Sequence, residues 1–453
     1  MNIVWTLFYF ILALLLLVTV HEYGHFIVAR WCGVKVLRFS FGFGKVLAHW
    51  RDKRGTEYAW SLIPLGGYVK MLDEEEGFVA PAEKHLAFNN QSLWVKIAIA
   101  SAGPLFNFLF AFCALWLVLV VGIQSFAPMI GRVLPGSIAE RGGLQAQEEI
   151  IALNDKPIFS WRDFQYALMP LVGSNDTVQI TVKSMLNGKQ MKRKLELTGW
   201  QLDGKKSDVL GTLGIKPFVP AVPPVVNEVF SNSTAKSAGL KVGDIVLKVD
   251  GVAITDWLDM LSIIKDNPDK LMTIVVRRDG KEVQLPVKVG KARLDGVEVG
   301  VLGVLSKHVD WPAGWLRVQR EGPIVALGSA LRQTVELTAA SFSLVGRLVM
   351  GKVSLQGISG PIGIAQGAGE SAHSGFSYYM FFLALISISL GVINLLPIPL
   401  LDGGHLLYYV LELIRQRPLS AEFKSIGMVV GFTFLIALMI LALTNDLGRL
   451  LSR

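Results

Sequence analysis

Four apolar runs decide most of what this chain can become. They span about Val4 to Val20, Ile97 to Ile123, Tyr378 to Leu396 and Met428 to Leu443. Each approaches the roughly 20 residues that a helix needs to cross a hydrocarbon core of about 30 Å. Helix is the expected form, because it satisfies every backbone N–H and C=O within its own segment. Of 453 residues, 52% are hydrophobic types, yet 44 are Lys or Arg and 36 are Asp or Glu. So many charges require a folded polar part between the crossings. A disordered chain is excluded. Cys32 and Cys113 are the only cysteines, too few for a disulfide framework or a CxxC cluster. Both read as small buried hydrophobes.

The first run has no basic segment before it and no A-x-A cleavage site, so it reads as a retained helix rather than a signal peptide. Orientation follows from the short loops. Arg30, Lys35, Arg38, Lys45, Arg51, Lys53 and Arg54 follow the first run, and Arg415, Arg417 and Lys424 lie between the third and fourth. The positive-inside rule puts both loops in the cytoplasm. Both termini and residues 124–375 are then expected outside. Arg449 and Arg453 on the C-terminal tail count mildly against that. The net charge of +8 thus serves membrane orientation. No basic patch with interleaved aromatics exists to suggest nucleic acid as a partner.

Between the first two runs, Val34 to Leu72 alternates apolar and polar residues and holds Gly42, Gly44, Gly66 and Gly67. That pattern predicts β-hairpin structure, with Phe41-Gly42-Phe43-Gly44 apolar enough to dip into the membrane interface. The external region repeats itself. At an offset of 96, positions 130–163 and 226–259 share Val133/Val229, Ser137/Ser233, Ala139/Ala235, Gly143/Gly239, Leu144/Leu240, Ile158/Ile254, Trp161/Trp257 and Asp163/Asp259. Two copies of one module of about 90 residues follow. Each reads as a strand, a small-residue helix, a strand (Ile150–Leu153 or Ile245–Val249), a turn, and a helix at the Trp. The stretch Ala238-Gly239-Leu240-Lys241-Val242-Gly243-Asp244-Ile245 resembles a PDZ domain of the bacterial protease type. Such modules capture peptides by adding a strand at a sheet edge, and a purely steric role is the alternative. Residues 312–350 suit one or two amphipathic helices on the outer membrane surface. Gly357-Ile358-Ser359-Gly360-Pro361 should end that region with a turn.

The chemistry begins at His21-Glu22-Tyr23-Gly24-His25, an HExxH motif at the end of the first run. On a helix, i and i+4 share a face, so both imidazoles can reach one Zn²⁺ while Glu22 stands beside it as a base. Ionisable groups at a membrane helix end are costly and usually functional. A catalytic zinc needs a third protein ligand and an open position. His49, His85, His308, His373, His405 and the carboxylates are available. His308 and His373 fall on the wrong side of the membrane. Asp402 follows the third run in Asn394-Leu395-Leu396-Pro397-Ile398-Pro399-Leu400-Leu401-Asp402-Gly403-Gly404, where two prolines free backbone at membrane depth. It is the best candidate, with His405 second.

HEYGH on a first crossing, tandem PDZ-like modules and NLLPIPLLDGG on a third resemble the site-2 protease family of intramembrane zinc metalloproteases. The likeness covers essentially the whole chain, including Pro64-Leu65-Gly66-Gly67-Tyr68-Val69-Lys70-Met71. It implies His21, His25 and Asp402 as ligands of one Zn²⁺ per chain, and Glu22 as general base. It further implies Asn394, Pro397 and Pro399 as substrate-binding residues. Gly103-x-x-x-Asn107 matches another family motif. Close helix packing through Gly103 is the favoured reading there, and for Asn107 an interhelical hydrogen bond and a substrate role stand level. A bacterial inner-membrane location is implied. So is a substrate that spans the membrane once: an anti-sigma factor in an envelope stress response, or leftover signal peptides, cut after another protease has removed the outer part.

The expected fold is a polytopic α-helical membrane protein with four transmembrane helices, a membrane-associated β-hairpin region and two periplasmic PDZ-like α+β domains. Helices are expected at 1–25, 96–123, 376–402 and 427–445, with the hairpin region at 26–95. The PDZ-like domains should fill 124–220 and 221–310, and the amphipathic segment 311–375. A cytoplasmic loop at 403–426 and a tail at 446–453 complete the chain. The lipid bilayer is one partner, and a peptide or substrate ectodomain at the PDZ-like modules another. Two other classes compete. A membrane-anchored peptide-binding scaffold would hold a structural zinc with a fourth protein ligand. A metal transporter would need polar residues along its helices, which the apolar runs largely lack.

Overall fold

The computed structural model describes residues 3–75, 77–200, 209–294, 297–307, 309, 311–312, 314–351, 355 and 359–451. His308, Gly357, Ile358 and Arg453, named above, lie outside these residues. Two units divide the chain. One holds residues 3–128, 133–216 and 317–451, the other 129–132 and 217–316.

In the first unit, helix α1 covers Ile3–Trp31. It runs six residues beyond the expected end at His25, so the HExxH motif is enclosed within a helix rather than placed at its tip. Strands β1 (Val36–Arg51) and β2 (Glu57–Met71) follow as an antiparallel hairpin, as the alternation predicted. Thr56 and Asp52 shape its turn: Asp52 Oδ1 accepts from the Arg54 and Thr56 N–H groups. Helix α2 spans Leu93–Val121. Ile3, Val4, Leu7 and Phe8 of α1 and Leu105 and Leu109 of α2 are exposed, which suits helix faces turned to lipid. Cys113 is exposed on the same account and Cys32 is half-buried, so the expectation of two buried cysteines fails.

The repeat is realised as two like sheets, one in each unit. In the first, β3 (Glu148–Leu153), β4 (Lys156–Pro157), β5 (Thr177–Ser184) and β6 (Gln190–Glu196) are antiparallel in the order β4-β3-β5-β6. Helix α3 (Trp161–Leu168) lies between β4 and β5 in sequence. The second repeats this with β7 (Ile245–Val249), β8 (Val252–Ala253), helix α4 (Trp257–Lys265), β9 (Leu271–Arg278) and β10 (Lys281–Lys288), ordered β8-β7-β9-β10. Equivalent turns use the same backbone. Asn154-Asp155 and Asp250-Gly251 both carry positive φ, the geometry of a tight hairpin. Strict alternation buries Val178, Ile180 and Val182 of β5 and Met272, Ile274 and Val276 of β9 on one face. One-turn helices at Ile138–Arg141 and Thr234–Ser237 carry the shared Ala139 and Ala235, both fully buried.

The copies also share a buried ion pair. Glu148 meets Arg193 at 3.0 Å, and Asp244 meets Arg278 at 2.7 Å. In the second module, burial alone would raise the Asp244 carboxyl. The Arg278 guanidinium and the Lys241 N–H outweigh it and hold the group below its usual value.

Two further helices, α5 (Pro323–Val349) and α6 (Pro361–Ser374), fill the segment expected to be amphipathic. Helix α7 (Phe376–Asn394) is the central crossing, half of it buried inside the protein. Small residues allow this: Ala384 and Gly391 on α7 meet Ala111, Ala114 and Phe108 of α2. The helix stops at Asn394, not at 402, because Pro397 and Pro399 cannot continue it. A new helix, α8 (Asp402–Arg415), occupies the expected loop, and α9 (Ala421–Leu451) is the last crossing. Asp446 near its end accepts from the N–H groups of Gly360, Ile362 and Gly363, each at 3.0 Å, and so caps α6. Four helices, α1, α2, α7 and α9, are long and apolar enough to cross a membrane.

Candidate metal centre

His21 and His25 leave the same face of α1, and their Nε2 atoms stand 3.3 Å apart. Asp402 Oδ2 lies 3.2 Å from Nε2 of His21 and 3.4 Å from Nε2 of His25. Among the described residues these are the His, Cys, Asp and Glu side chains whose ligand atoms converge. His405, the second candidate, stands one helical turn further along α8 and outside the cluster, with its ring 6.4 Å from that of Tyr409.

The backbone explains why the three meet. Gly24 and Gly103 bring α1 and α2 together: a Cβ on Gly24 would stand 2.5 Å from the Ala102 carbonyl oxygen. A Cβ on Gly103 would press into both imidazoles. Close packing was the expected role of Gly103, and its partner proves to be the histidine pair. Gly403 and Gly404 let α8 fold back on the Leu395–Pro399 segment, where any side chain would strike the carbonyls of Leu396 and Ile398. Leu400 completes that turn with φ of 88°, a left-handed conformation costly for a non-glycine residue. Asp402 therefore opens α8, where the helix dipole favours a carboxylate.

Hydrogen bonds set the tautomers. His25 Nδ1 is 2.7 Å from the Ile99 carbonyl. A carbonyl only accepts, so Nδ1 carries the proton and Nε2 presents a lone pair. His21 Nδ1 is 3.0 Å from the Asn107 amide. Asn107 is fully buried, with its Nδ2 facing His21 and its Oδ1 without a partner among the described residues. With the amide turned so that Oδ1 accepts from His21 Nδ1–H, the Oδ1 gains a donor and the second Nε2 is also a bare lone pair. Two lone pairs and a carboxylate oxygen aimed at one point repel unless a cation sits between them.

Zinc fits. A tetrahedron with edges of 3.2–3.4 Å has corners about 2.0 Å from its centre, the length of Zn–N and Zn–O bonds. Asp402 Oδ2 is buried, and no hydrogen-bond donor reaches it among the described residues. Two nitrogens and one carboxylate oxygen leave a fourth corner for water or substrate, the donor count of a catalytic zinc. Glu22 lies beside this point, and its carboxylate accepts from the Val69 N–H of β2. Gly67 keeps that strand close, since a Cβ there would be 3.7 Å from Glu22 Cγ. The reach of β2 to Glu22 had no sequence signal beyond the Gly66-Gly67 pair.

The remaining expected site residues are not drawn into the cluster. Asn394 closes α7, half-buried, with no side-chain hydrogen bond among the described residues. Pro397 is exposed. Pro399 packs on α9, where a Cβ on Gly431 would be 2.1 Å from its carbonyl oxygen.

Residues 9–438 match the sequence family described as Peptidase family M50. A regulator of sigma-E protease from Escherichia coli (strain K12) is 41% identical over 450 residues, covering 99% of this chain and 100% of that protein. Its counterpart in Salmonella typhimurium (strain LT2) has the same identity and coverage. A protein of Vibrio cholerae named provisionally as a zinc metalloprotease is 40% identical over 451 residues, again 99% of this chain and 100% of its own length. Matched over nearly its whole length, the chain belongs to peptidase family M50 and is a membrane zinc metalloprotease of the site-2 type.

Proposed function

We propose that this enzyme hydrolyses a peptide bond within or beside the transmembrane segment of a single-pass membrane protein, using one Zn²⁺ held by His21, His25 and Asp402. The convergence of those three ligand atoms on one point next to Glu22 carries the reading. Zinc bound there supplies Lewis acidity to the scissile carbonyl and acidifies the attacking water. Glu22, steadied by the Val69 N–H, takes the water proton and returns it to the leaving amine. Asn107 and the Ile99 carbonyl hold the imidazoles in the binding tautomer, so Asn107 is a positioning residue. Asn394, whose amide has no hydrogen bond among the described residues, orients substrate at the end of α7, and the Pro397–Pro399 segment forms the wall beside it.

A transmembrane substrate hides its peptide bonds in its own hydrogen-bond ladder and must be unwound locally. The outer edges of β1 and β2, next to Glu22, hold the unwound strand by edge pairing. Proline substitutions along those edges should then slow cleavage, and unchanged cleavage would remove the hairpin from that role. The basic residues of the hairpin region and of the α8–α9 connection favour a site toward the cytoplasm of a bacterial inner membrane. The two repeat modules then face the periplasm, where as PDZ-like domains they take a peptide or the ectodomain left by a first cleavage. By likeness to relatives named as regulators of sigma-E, an anti-sigma factor in an envelope stress response is the substrate, with remnant signal peptides a second target.

Purified enzyme and a tagged single-pass substrate, with and without a zinc chelator, test this. Cleavage that stops with chelator and returns with zinc is expected. Cleavage indifferent to the chelator, or no cleavage with zinc tightly held, would point instead to a peptide-binding scaffold with a structural metal.

A further inference from the structure

Arg162 lies in the first turn of α3 of the first module. Its guanidinium carbon lies 4.4 Å from the ring centre of Phe381 on α7, and its Nε is buried without a hydrogen-bond partner. No carboxylate forms an ion pair with it among the described residues. The guanidinium borders a cavity of about 310 Å³ that also takes in Tyr166, Ser371 and Ser374. Glu370, exposed and unpaired among the described residues, stands on the same wall. Asp163, next in sequence, lines a different cavity.

The floor is apolar: Phe381, Phe382 and Leu385. They lie five to nine residues into α7, about 8–14 Å below its first residue at 1.5 Å per residue. That end of α7 is the one remote from Asn394 and the metal centre. Tyr166, 5.8 Å from Phe381 between ring centres, closes the top beneath the module. The cavity thus combines a cation, an anion and hydroxyls with an aromatic and aliphatic lining. Stacking on an aromatic face only partly compensates a desolvated guanidinium. A phosphate supplies what is missing, because guanidinium pairs strongly with it.

We propose that this cavity binds one glycerophospholipid from the leaflet on the side of the repeat modules. Its phosphate sits on Arg162, the primary amine of an ethanolamine headgroup on Glu370, and an acyl chain along Phe382 and Leu385. The site lies apart from the metal centre and ties the first module to the membrane surface over α7.

The full chain, reconstituted in nanodiscs and released in mild detergent, can be examined by native mass spectrometry. Wild type should retain one phosphatidylethanolamine and prefer it over phosphatidylglycerol. Arg162→Gln should lower retention about tenfold, the effect of one charge-assisted hydrogen bond, and Arg162→Lys should keep most of it. Glu370→Gln should erase the preference for the amine headgroup while phosphatidylglycerol still binds. Millimolar inorganic phosphate should not displace the lipid. Retention by Arg162→Gln equal to wild type, with zinc content unchanged, would overturn the proposal. So would displacement by inorganic phosphate, which would assign the site to a free anion.

Discussion

A Cβ built on Gly103 would stand 2.3 Å from Nε2 of His25 and 2.7 Å from Cε1 of His21. Glycine is therefore the only residue that lets α2 back the two imidazoles without pushing them off their shared point. Gly103→Ala should lower zinc occupancy of the purified enzyme and its cleavage rate together, by tenfold or more, since sub-ångström displacement of a ligand disrupts coordination. Elemental analysis and a cleavage assay on the same sample read both. Full zinc content in that variant would mean the rings have room to move.

On the proposed mechanism, Asn107 acts on the metal through His21. Losing an outer partner of a ligating histidine usually weakens metal binding 10–100-fold. Asn107→Leu, similar in volume and unable to accept a proton, should show a loss in that range in a zinc competition titration. Asn107→Asp should restore binding, because a carboxylate accepts from Nδ1–H at least as well. A rescue that fails would make the residue a helix-packing group alone.

The second module carries its own pH dependence. Asp244 is buried, and its carboxyl is held below the usual value by Arg278 and the Lys241 N–H against the opposing effect of burial. A depressed folded value means the stabilisation is fully present above the unfolded carboxyl value of about 3.9. It is lost as pH falls through the folded value. Hydrogen exchange of the full chain should show β7 and β9 amides losing protection below about pH 4. Asp244→Asn, which leaves Arg278 without its partner, should destabilise this module by about 3 kcal/mol at pH 7 and flatten the acid slope.

Much of the fold was legible because membrane helices and HExxH are written in local pattern. Val4–Val20 and Met428–Leu443 needed only length and hydropathy, and the alternation across Val36–Arg51 needed only period two. The repeat was legible through eight identities, and the structure adds a match the alignment concealed. Gln147 and Gly243 both take positive φ ahead of an acid that pairs with an arginine. Other features were out of reach. Helix α8 begins inside a Pro- and Gly-rich stretch that reads as loop, since Gly403 and Gly404 serve packing against Leu396 and Ile398 and not chain reversal. The Asn107–His21 and Val69–Glu22 contacts join residues 86 and 47 positions apart. No spacing rule reaches that far. Asp446 capping α6 is of the same kind.

The central claim is that Glu22 moves the proton while His21, His25 and Asp402 hold the zinc. The most direct measurement is zinc content and cleavage of a tagged single-pass substrate by Glu22→Gln, assayed beside wild type. The account expects zinc near one per chain and cleavage reduced by at least about 10²–10⁴-fold, the contribution of a positioned general base. Cleavage at the wild-type rate with zinc in place would contradict it.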